Sequence, residues 1–167
     1  MMKKYFAIMV VVAAVILLTG CSKDDEKLSP QEFARLLTST TWAGTHQSQH
    51  KSMGSWSSNA PQDVVIVFER ANASATSGTG YQLEFKSSSY TEDQFERKSA
   101  ISWEIHGDQF IINYAAGWDK SYMIYTDNEC HLNASSFSGI LYTDSDHRFL
   151  YTYVKSSFND WAKYWNK

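Results

Sequence analysis

Three hydrophobic patterns follow one another along the chain. An unbroken apolar run near the N-terminus is followed by a short segment of helical period, and then by a long region in which apolar residues alternate. The helical segment starts at residues 29–32 (SPQE), a capping box with proline at the first helical position, and Phe33, Leu36 and Leu37 follow on one side. This pattern predicts a helix of about two turns that packs onto the next element.

The region from Trp42 to Val154 has the apolar spacing of β-strands. Residues 64–68 form an unbroken apolar run, typical of a strand buried on both faces. The dipeptide Gly107-Asp108 marks a hairpin turn between two alternating runs. The predicted strands are 42–47, 64–68, 81–85, 101–105, 110–114, 122–126, 130–132, 137–142 and 148–154. Since no helical pattern separates them, the spacing predicts an antiparallel barrel or sandwich of about eight strands.

Two further segments interrupt and end this region. Residues 47–61 are polar, which predicts a long first loop, yet they include the large apolar residues Met53 and Trp56. The end of the chain predicts a short amphipathic helix, with apolar positions at Phe158, Trp161, Ala162 and Trp165. Such a helix either covers an open end or a side of the barrel, or binds a partner.

The N-terminal segment has the layout of a secretory signal. Lys3 and Lys4 precede the apolar residues 5–18, which as a helix span only about 21 Å, short of a hydrocarbon core of ~30 Å. The sequence Leu18-Thr19-Gly20-Cys21 resembles the lipobox of bacterial lipoproteins. The resemblance implies cleavage before Cys21, lipidation of its sulfur and amine, and hence a lipid anchor to the membrane. An ordinary signal peptide with a chance cysteine, or an uncleaved anchor, is the alternative.

The residues after Cys21 bear on compartment and on domain organisation. Residues 22–28 (SKDDEKL) are charged and predict an unstructured tether. Their Lys-Asp-Asp-Glu cluster resembles the acidic export signal of Bacteroidota lipoproteins, which implies the outer face of the outer membrane, and a solvated spacer is the alternative. We therefore divide the chain into a signal peptide (1–20), a lipidated cysteine with its tether (21–28) and one folded domain (29–167).

Composition favours a β-domain and excludes one class of partner. Aromatic residues make up 15% of the chain and there are 2 prolines, which favours β-structure. The formal net charge of −3 becomes −5 when Lys3 and Lys4 leave with the signal peptide. Because the chain has no basic stripe, we do not expect it to bind nucleic acid. Lipidation of Cys21 leaves Cys130 without an intrachain disulfide partner, so stability must come from packing.

The β-region resembles the lipocalin-like (calycin) barrels. The resemblance rests on the initial helix, on Trp42-Ala43-Gly44 in the first strand, and on a meander of hairpins followed by a terminal helix. It extends to small lipocalin-like lipoproteins of Bacteroidota through the spacings Trp103…Gly107…Phe110-x-Ile112-x-Tyr114 and Leu132-x4-Phe137-x-Gly139. The Gly-x-Trp and Thr-Asp-Tyr signatures of lipocalins proper are absent. The likeness covers roughly residues 30–156 and implies a mainly β fold. It further implies an up-and-down antiparallel barrel of about eight strands with short N- and C-terminal helices, and a lumen whose ligand it does not name.

No residue pattern indicates catalysis. His46 and His50 lie at a strand end and in a loop, about 13 Å apart in extended chain, so we interpret them as solvated rather than metal-binding. The chain has no Gly-x-Ser-x-Gly elbow and no marked carboxylate pair. Cys130 alternates with Leu132 on the inward face, which favours a buried thiol over a reactive one. We therefore expect no enzyme, no metal and no cofactor.

The aromatic residues carry the functional hypotheses. Rings at alternating, inward-facing positions are Trp103, Phe110, Tyr114, Phe137, Phe149 and Tyr151. They either fill the barrel or line a cavity for a small hydrophobic or amphipathic ligand, with Met53 and Trp56 as a lid. In the second hypothesis the outer residues Trp118 and Tyr122, beside Asp119, stack on sugar rings in a non-catalytic envelope complex. A wide lumen favours the first hypothesis, and a packed lumen with exposed outer rings favours the second.

Overall fold

The structure is a computed structural model that describes residues 27–115, 121–125 and 128–165. In these ranges the chain forms two α-helices, ten β-strands and a short 3-10 turn at Glu92–Gln94. The helices are α1 (Pro30–Leu37) and α2 (Trp161–Trp165). The strands are β1 (Thr41–Ser52), β2 (Ser55–Ser58), β3 (Gln62–Arg70), β4 (Ser77–Phe85), β5 (Phe95–His106), β6 (Gln109–Tyr114), β7 (Ser121–Ile124), β8 (His131–Leu132), β9 (Ser136–Tyr142) and β10 (His147–Ser156).

Eight of the strands close into an antiparallel barrel. Their order is β1-β3-β4-β5-β6-β7-β9-β10, and β10 pairs with β1 over ten residues to close the ring. The short strands β2 and β8 lie outside this ring and pair with β1 and β9. The predicted mainly β, closed antiparallel barrel of about eight strands is therefore confirmed, and its architecture is consistent with a lipocalin-like fold.

Helix α1 closes one end of the barrel. The predicted capping box is present: the Ser29 hydroxyl accepts from the Glu32 amide at 3.3 Å, and the Ser29 amide donates to the Glu32 carboxylate at 3.0 Å. Phe33 and Leu37 are fully buried among inward-facing strand residues. The indole N–H of Trp42 donates to the carbonyl of Leu37 at 2.8 Å, which ties the helix end to β1. The predicted helix is confirmed, and its apolar side forms part of the barrel core.

Close strand packing explains the glycine of the Trp-Ala-Gly sequence in β1. A Cβ atom on Gly44 would collide with the carbonyl oxygen of Thr152 on β10. Glycine is therefore needed where the backbones of these two strands approach each other. Strand alternation then points Trp42 and His46, on either side of Gly44, into the lumen.

Helix α2 covers a side of the barrel. Residues Val65, Leu83 and Phe85 point outward and are fully buried under the C-terminal segment. The contacting residues of that segment are Phe158, Trp161 and Tyr164. The Tyr164 hydroxyl donates to the carbonyl of Tyr90 at 3.1 Å. The C-terminal helix is therefore a cover, as the apolar spacing predicted, and it lies on the side rather than on the end.

The predicted first loop at residues 47–61 is wrong. Strand β1 continues to Ser52, a turn at Met53 and Gly54 follows, and β2 returns antiparallel to β1. Both turn residues have positive φ, 50° and 82°, which suits a two-residue hairpin. The hairpin residues are mostly exposed, so neither of its faces needs an apolar period. For that reason the polar sequence of residues 47–61 did not predict the end of β1 or strand β2.

Candidate functional site

The half of the lumen nearest α1 is filled by aromatic side chains. Trp103, Phe110 and Phe137 are each exposed by 1% or less. The ring centre of Phe110 lies 6.3 Å from those of Trp103 and Phe137, and 5.3 Å from that of Phe33. The indole N–H of Trp103 donates to the carbonyl of Glu69 at 3.1 Å. These are distances of packed rings, so this part of the predicted lumen is core.

The opposite half of the lumen is polar. The hydroxyls of Tyr114 and Tyr151, both predicted lumen residues, lie 3.2 Å apart. Tyr114 donates to the side-chain carbonyl of Gln82 at 3.0 Å, and the Gln82 amide donates to Glu84 at 3.0 Å. One guanidinium nitrogen of Arg97 contacts both carboxylate oxygens of Glu84, at 2.7 and 2.8 Å. We call these five residues, together with His46, the polar layer.

Burial keeps the tyrosines of the lumen neutral. It raises the pKa of Tyr114 to about 12, against the opposing effect of the hydrogen bond with Tyr151. Burial likewise raises the pKa of Tyr151 and of Tyr153 well above the ordinary value. The Tyr153 hydroxyl is buried without a hydrogen-bond partner in the structure. These phenols therefore act as hydrogen-bonding groups and not as charges.

His46 corrects an expectation drawn from the sequence. It was interpreted as a solvated loop residue, but it lies on the inward face of β1 and is only 8% exposed. Its ring centre lies 5.8 Å from that of Phe149 and 6.0 Å from that of Tyr151. Its Nδ1 atom is buried and has no hydrogen-bond partner. Such a group costs about 1–3 kcal/mol, so a structural or functional reason for it is needed.

The electrostatic surroundings of His46 favour the neutral ring. Burial lowers the pKa of the imidazole below its ordinary value of 6.5, and the nearby carboxylate of Glu84 opposes this effect only in part. The neutral ring has one donor and one acceptor nitrogen. When the proton is on Nε2, the buried Nδ1 is an acceptor.

The polar layer encloses little space. Centres of water molecules can occupy about 10 Å³ there. The lining residues are His46, Gln82, Glu84, Ser99, Tyr114, Phe149 and Tyr151. That volume is close to the minimum for one water molecule. The structure thus brings Tyr114, Phe149 and Tyr151 together at one cavity, but the cavity is small, and rings as well as polar side chains line it.

The hairpin residues Met53 and Trp56 do not approach the inward rings. Met53 is at the turn and is fully exposed, at 103%. Trp56 lies on β2 opposite Lys51, which alternates with the inward-facing positions of β1 and so points to the outer face. The guanidinium carbon of Arg148 is 4.0 Å from the centre of the Trp56 ring. The structure therefore places Trp56 on the outer surface and not over the lumen.

A row of side chains crosses this outer surface. Tyr122 on β7 pairs with Tyr142 on β9, Tyr142 pairs with Arg148 on β10, and Arg148 pairs with Gln49 on β1. Trp56 on β2 lies opposite Lys51, two residues after Gln49 on the same face of β1. With strands about 4.8 Å apart, the four steps from β7 to β2 span about 19 Å. We call these five residues the outer row.

Contacts within the outer row hold its side chains in place. The ring centres of Tyr122 and Tyr142 are 5.9 Å apart, with planes inclined by 32°. The Tyr142 hydroxyl donates to the carboxylate of Glu129 at 2.9 Å. The Nε atom of Arg148 donates to the side-chain carbonyl of Gln49 at 2.7 Å. Tyr122 is 36% exposed, so this end of the row presents an aromatic surface to solvent.

Several other predicted residues are placed without forming a reactive site. Cys130 is half-buried against the core, and burial raises the pKa of its thiol to about 12, so it is a poor nucleophile. Within the described ranges no three His, Cys, Asp or Glu side chains are placed to hold a metal ion. Cys21, Trp118 and Asp119 lie outside the described residues. The expectation that the protein is not an enzyme stays an expectation.

The sequence analysis missed most of the polar layer. Gln82, Glu84 and Arg97 were not singled out, because isolated polar residues in a strand are normally assigned to its solvent face. A signal was present for His46, since it continues the alternation Trp42, Gly44, His46 on the inward face of β1.

Comparison of the chain with protein-family models and with curated proteins gave no match. In the part of the chain that the structure describes, no helix combines the length and the apolar character needed to cross a membrane. The function of the chain is therefore inferred from the geometry of the lumen and of the outer surface.

Proposed function

We propose that this chain is a non-catalytic, lipid-anchored protein of the outer membrane that binds an oligosaccharide along the outer row. The barrel is the scaffold, and the binding elements are the exposed ring of Tyr122 and the half-buried rings of Tyr142 and Trp56. The observation that carries the proposal is the continuous sequence of aromatic and polar side chains from Tyr122 to Trp56 across neighbouring strands.

The chemistry of the outer row suits a sugar chain. A pyranose ring has an apolar face of C–H groups and a rim of hydroxyls, so it needs an apolar plane beside hydrogen-bonding groups. Tyr122 and Tyr142 offer such planes, and Gln49, Arg148 and Glu129 offer amide, guanidinium and carboxylate groups next to them. Tyrosine and tryptophan lose little conformational entropy on binding because they have few rotatable bonds. The row crosses five neighbouring strands, which fits an extended chain better than a compact ligand.

The small volume left in the lumen favours an oligosaccharide site on the outer surface over a ligand site inside the barrel. A small hydrophobic ligand needs an apolar pocket of about 300 Å³ or more. The rings nearest α1 are in contact, and the polar end leaves about 10 Å³ for water centres. By the criterion set from the sequence, a packed lumen with exposed outer rings favours the interaction hypothesis over the lumen ligand.

The membrane part of the proposal rests on the N-terminal sequence. The short apolar run, the lipobox-like residues 18–21 and the acidic tether 22–28 support lipid attachment at Cys21 and display at the cell surface. A diacylated or triacylated cysteine anchors a protein stably without a spanning helix. An anchored domain with an exposed sugar-binding face would retain glycans close to the membrane.

The test is a binding measurement on purified protein with soluble oligosaccharides of several linkage types, by isothermal titration calorimetry or a glycan array. We expect at least one oligosaccharide to bind, and Tyr122→Ala and Trp56→Ala to weaken that binding at least about tenfold, or 1.4 kcal/mol. Val154→Ala is the matched control, because Val154 is also an exposed apolar residue on the outer face of β10 but lies outside the row.

Two outcomes would reject the proposal. One is oligosaccharide binding that is equally strong in wild type, Tyr122→Ala and Trp56→Ala. The other is that the wild-type protein binds no glycan, whereas a purified envelope protein binds the wild-type protein through the same residues of the outer row. In that case the outer row is a protein interface, for which tryptophan, tyrosine and arginine are also the preferred residues.

A further inference from the structure

The ion pair between Glu84 and Arg97 is asymmetric. The two residues are direct cross-strand partners on β4 and β5. The Glu84 side chain is 8% exposed, whereas that of Arg97 is 42% exposed. The carboxylate is therefore fixed inside the lumen, and the guanidinium reaches it from the solvent side. Arg97 is therefore the member of the ion pair with more access to solvent.

The cavity beyond this ion pair is lined by one carboxylate. Among the side chains that line it, Glu84 carries the one formal charge, since burial keeps His46 and the two tyrosines neutral. Arg97 is not part of the lining. A group inside the cavity would thus meet the carboxylate on the side that Arg97 does not cover.

Two acceptor positions in this cavity are unused. A carboxylate has about four lone-pair sites, and among the described residues Glu84 accepts three hydrogen bonds, two from Arg97 and one from Gln82. The Nδ1 atom of His46 is more than nine-tenths buried and has no partner. The two residues that carry these acceptors line the same small cavity, which has space for about one water-sized group. A water-sized group with several N–H donors would satisfy both.

The walls of the cavity favour a positive charge on that group. The rings of Phe149 and Tyr151 line it, with centres 6.3 Å apart. The faces of such rings attract cations, and the attraction grows when the cation is desolvated. A carboxylate acceptor forms shorter and stronger bonds to a charged donor than to a neutral one.

We propose that the polar layer is a binding site for the primary ammonium group of a small amphipathic amine. The ammonium group enters the cavity and donates hydrogen bonds to the Glu84 carboxylate and to Nδ1 of His46. The alkyl portion of the amine lies in the mouth of the barrel. In the free protein, the Arg97 guanidinium pairs with the Glu84 carboxylate. When the amine binds, Arg97 turns toward solvent and leaves room for the ammonium group. This site is separate from the outer row, and it does not depend on the proposed glycan function.

The test uses the full-length protein and three ligands of equal chain length: n-butylamine, n-butanol and butyrate. At neutral pH we expect butylammonium to bind with 1:1 stoichiometry by calorimetry and to raise the melting temperature with concentration. Butanol and butyrate at the same concentrations should do neither. Arg97→Ala should bind butylammonium about tenfold more tightly or better, because the competing guanidinium is gone.

Variants identify the cavity as the place of binding. Glu84→Gln should abolish the binding of butylammonium, and His46→Phe, which fills the cavity and removes the acceptor, should weaken it strongly. Glu104→Gln is the matched control, since Glu104 is exposed on the same strand as Arg97 and should bind like wild type. Circular dichroism checks that each variant is folded. If Glu84→Gln does not fold, the effect of His46→Phe on butylammonium binding still tests the proposal.

Three results would overturn the proposal. Equal binding of butanol and butylammonium would show a site for any hydroxyl-sized donor. Butyrate binding that is lost in Arg97→Ala would show an anion site on the guanidinium. No saturable binding of butylammonium to either wild type or Arg97→Ala would show that the cavity accommodates water alone. Unchanged binding in Tyr122→Ala would separate this site from the outer row.

Discussion

The Arg148 guanidinium lies over the Trp56 ring, with its carbon 4.0 Å from the ring centre. The two residues are on different strands, β10 and β2, and β1 lies between them. Arg148 also donates to Gln49 of that middle strand at 2.7 Å. The contact therefore connects the projecting hairpin to the body of the barrel and covers one face of the indole.

This contact should be measurable as an energetic coupling. We expect a double-mutant cycle of Trp56→Ala and Arg148→Ala to give a coupling of about 0.5–1 kcal/mol, the range for a partly exposed cation–π pair. The measurement is the free energy of unfolding in urea for wild type, the two single variants and the double variant. Additivity within about 0.3 kcal/mol would contradict a stabilising contact.

The buried ring of Phe33 on helix α1 should contribute strongly to stability. Phe33 is fully buried, and its ring centre lies 4.8 Å from Tyr125 and 5.3 Å from Phe110. Phe33→Ala should therefore lower the free energy of unfolding by about 3–5 kcal/mol, as expected for loss of a buried phenylalanine. Leu36→Ala on the same helix is the control, because Leu36 is only half-buried and should have a clearly smaller effect. Equal effects of the two changes would show that α1 does not plug the barrel.

Local sequence patterns were sufficient to predict the elements whose structure depends on residues close together in the chain. The capping box at residues 29–32 fixes the start of α1 through two hydrogen bonds within one turn. The alternation around Trp103 and Phe110 placed both rings in the lumen, because the two faces of a barrel strand have different environments. These features depend on neighbours along the chain, so they can be read from it.

Features that depend on strand register could not be predicted in this way. The outer row exists because Tyr122, Tyr142 and Arg148 stand opposite one another on three strands, and no local pattern gives that alignment. The burial of His46 and Glu84 depends on closure of the barrel around them. The first hairpin was missed because strands that are solvated on both faces show no hydrophobic period.

Lipid attachment is predicted at Cys21, where the lipobox-like sequence follows a short apolar run. Labelled palmitate should be incorporated into the wild-type protein expressed in a bacterial host and should be absent from Cys21→Ser. Cys130→Ser is the control and should be labelled like wild type, because a half-buried thiol with a raised pKa is a poor acceptor. Equal labelling of wild type and Cys21→Ser would reject lipidation at this position.

Surface display is predicted from the charged tether at residues 22–28. Protease added to intact cells should remove the protein, and a periplasmic marker should survive the same treatment. Replacing the acidic residues Asp24, Asp25 and Glu26 by serine should leave the lipid anchor but increase protection. If the wild type is protected until the outer membrane is opened, the domain faces the periplasm.

The last prediction concerns pH and follows from the burial of His46. Burial lowers the pKa of this imidazole below 6.5, its value in an unfolded chain. Well above pH 6.5 both states are neutral, and His46 makes no contribution to the pH dependence of stability. As pH falls further, the unfolded chain binds a proton that the folded protein binds less readily, so the free energy of unfolding decreases. Because stability rises with pH wherever the unfolded state binds more protons, the loss begins as pH approaches 6.5 from above and continues down to the lower pKa of the folded state.

The measurement is the free energy of unfolding in urea between about pH 5 and 6.5, a window that separates His46 from the carboxylates. Glu32, Asp93 and Asp144 also have lowered pKa values, but from ordinary values of 4.5, 3.8 and 3.8, so their contributions are lost only at lower pH. Wild type should lose stability across the window, and His46→Gln should lose much less. His50→Gln is the matched control, since His50 is on the same strand but exposed, and it should behave like wild type. If wild type and His46→Gln show the same slope against pH, the buried neutral imidazole is not what makes the barrel sensitive to acid.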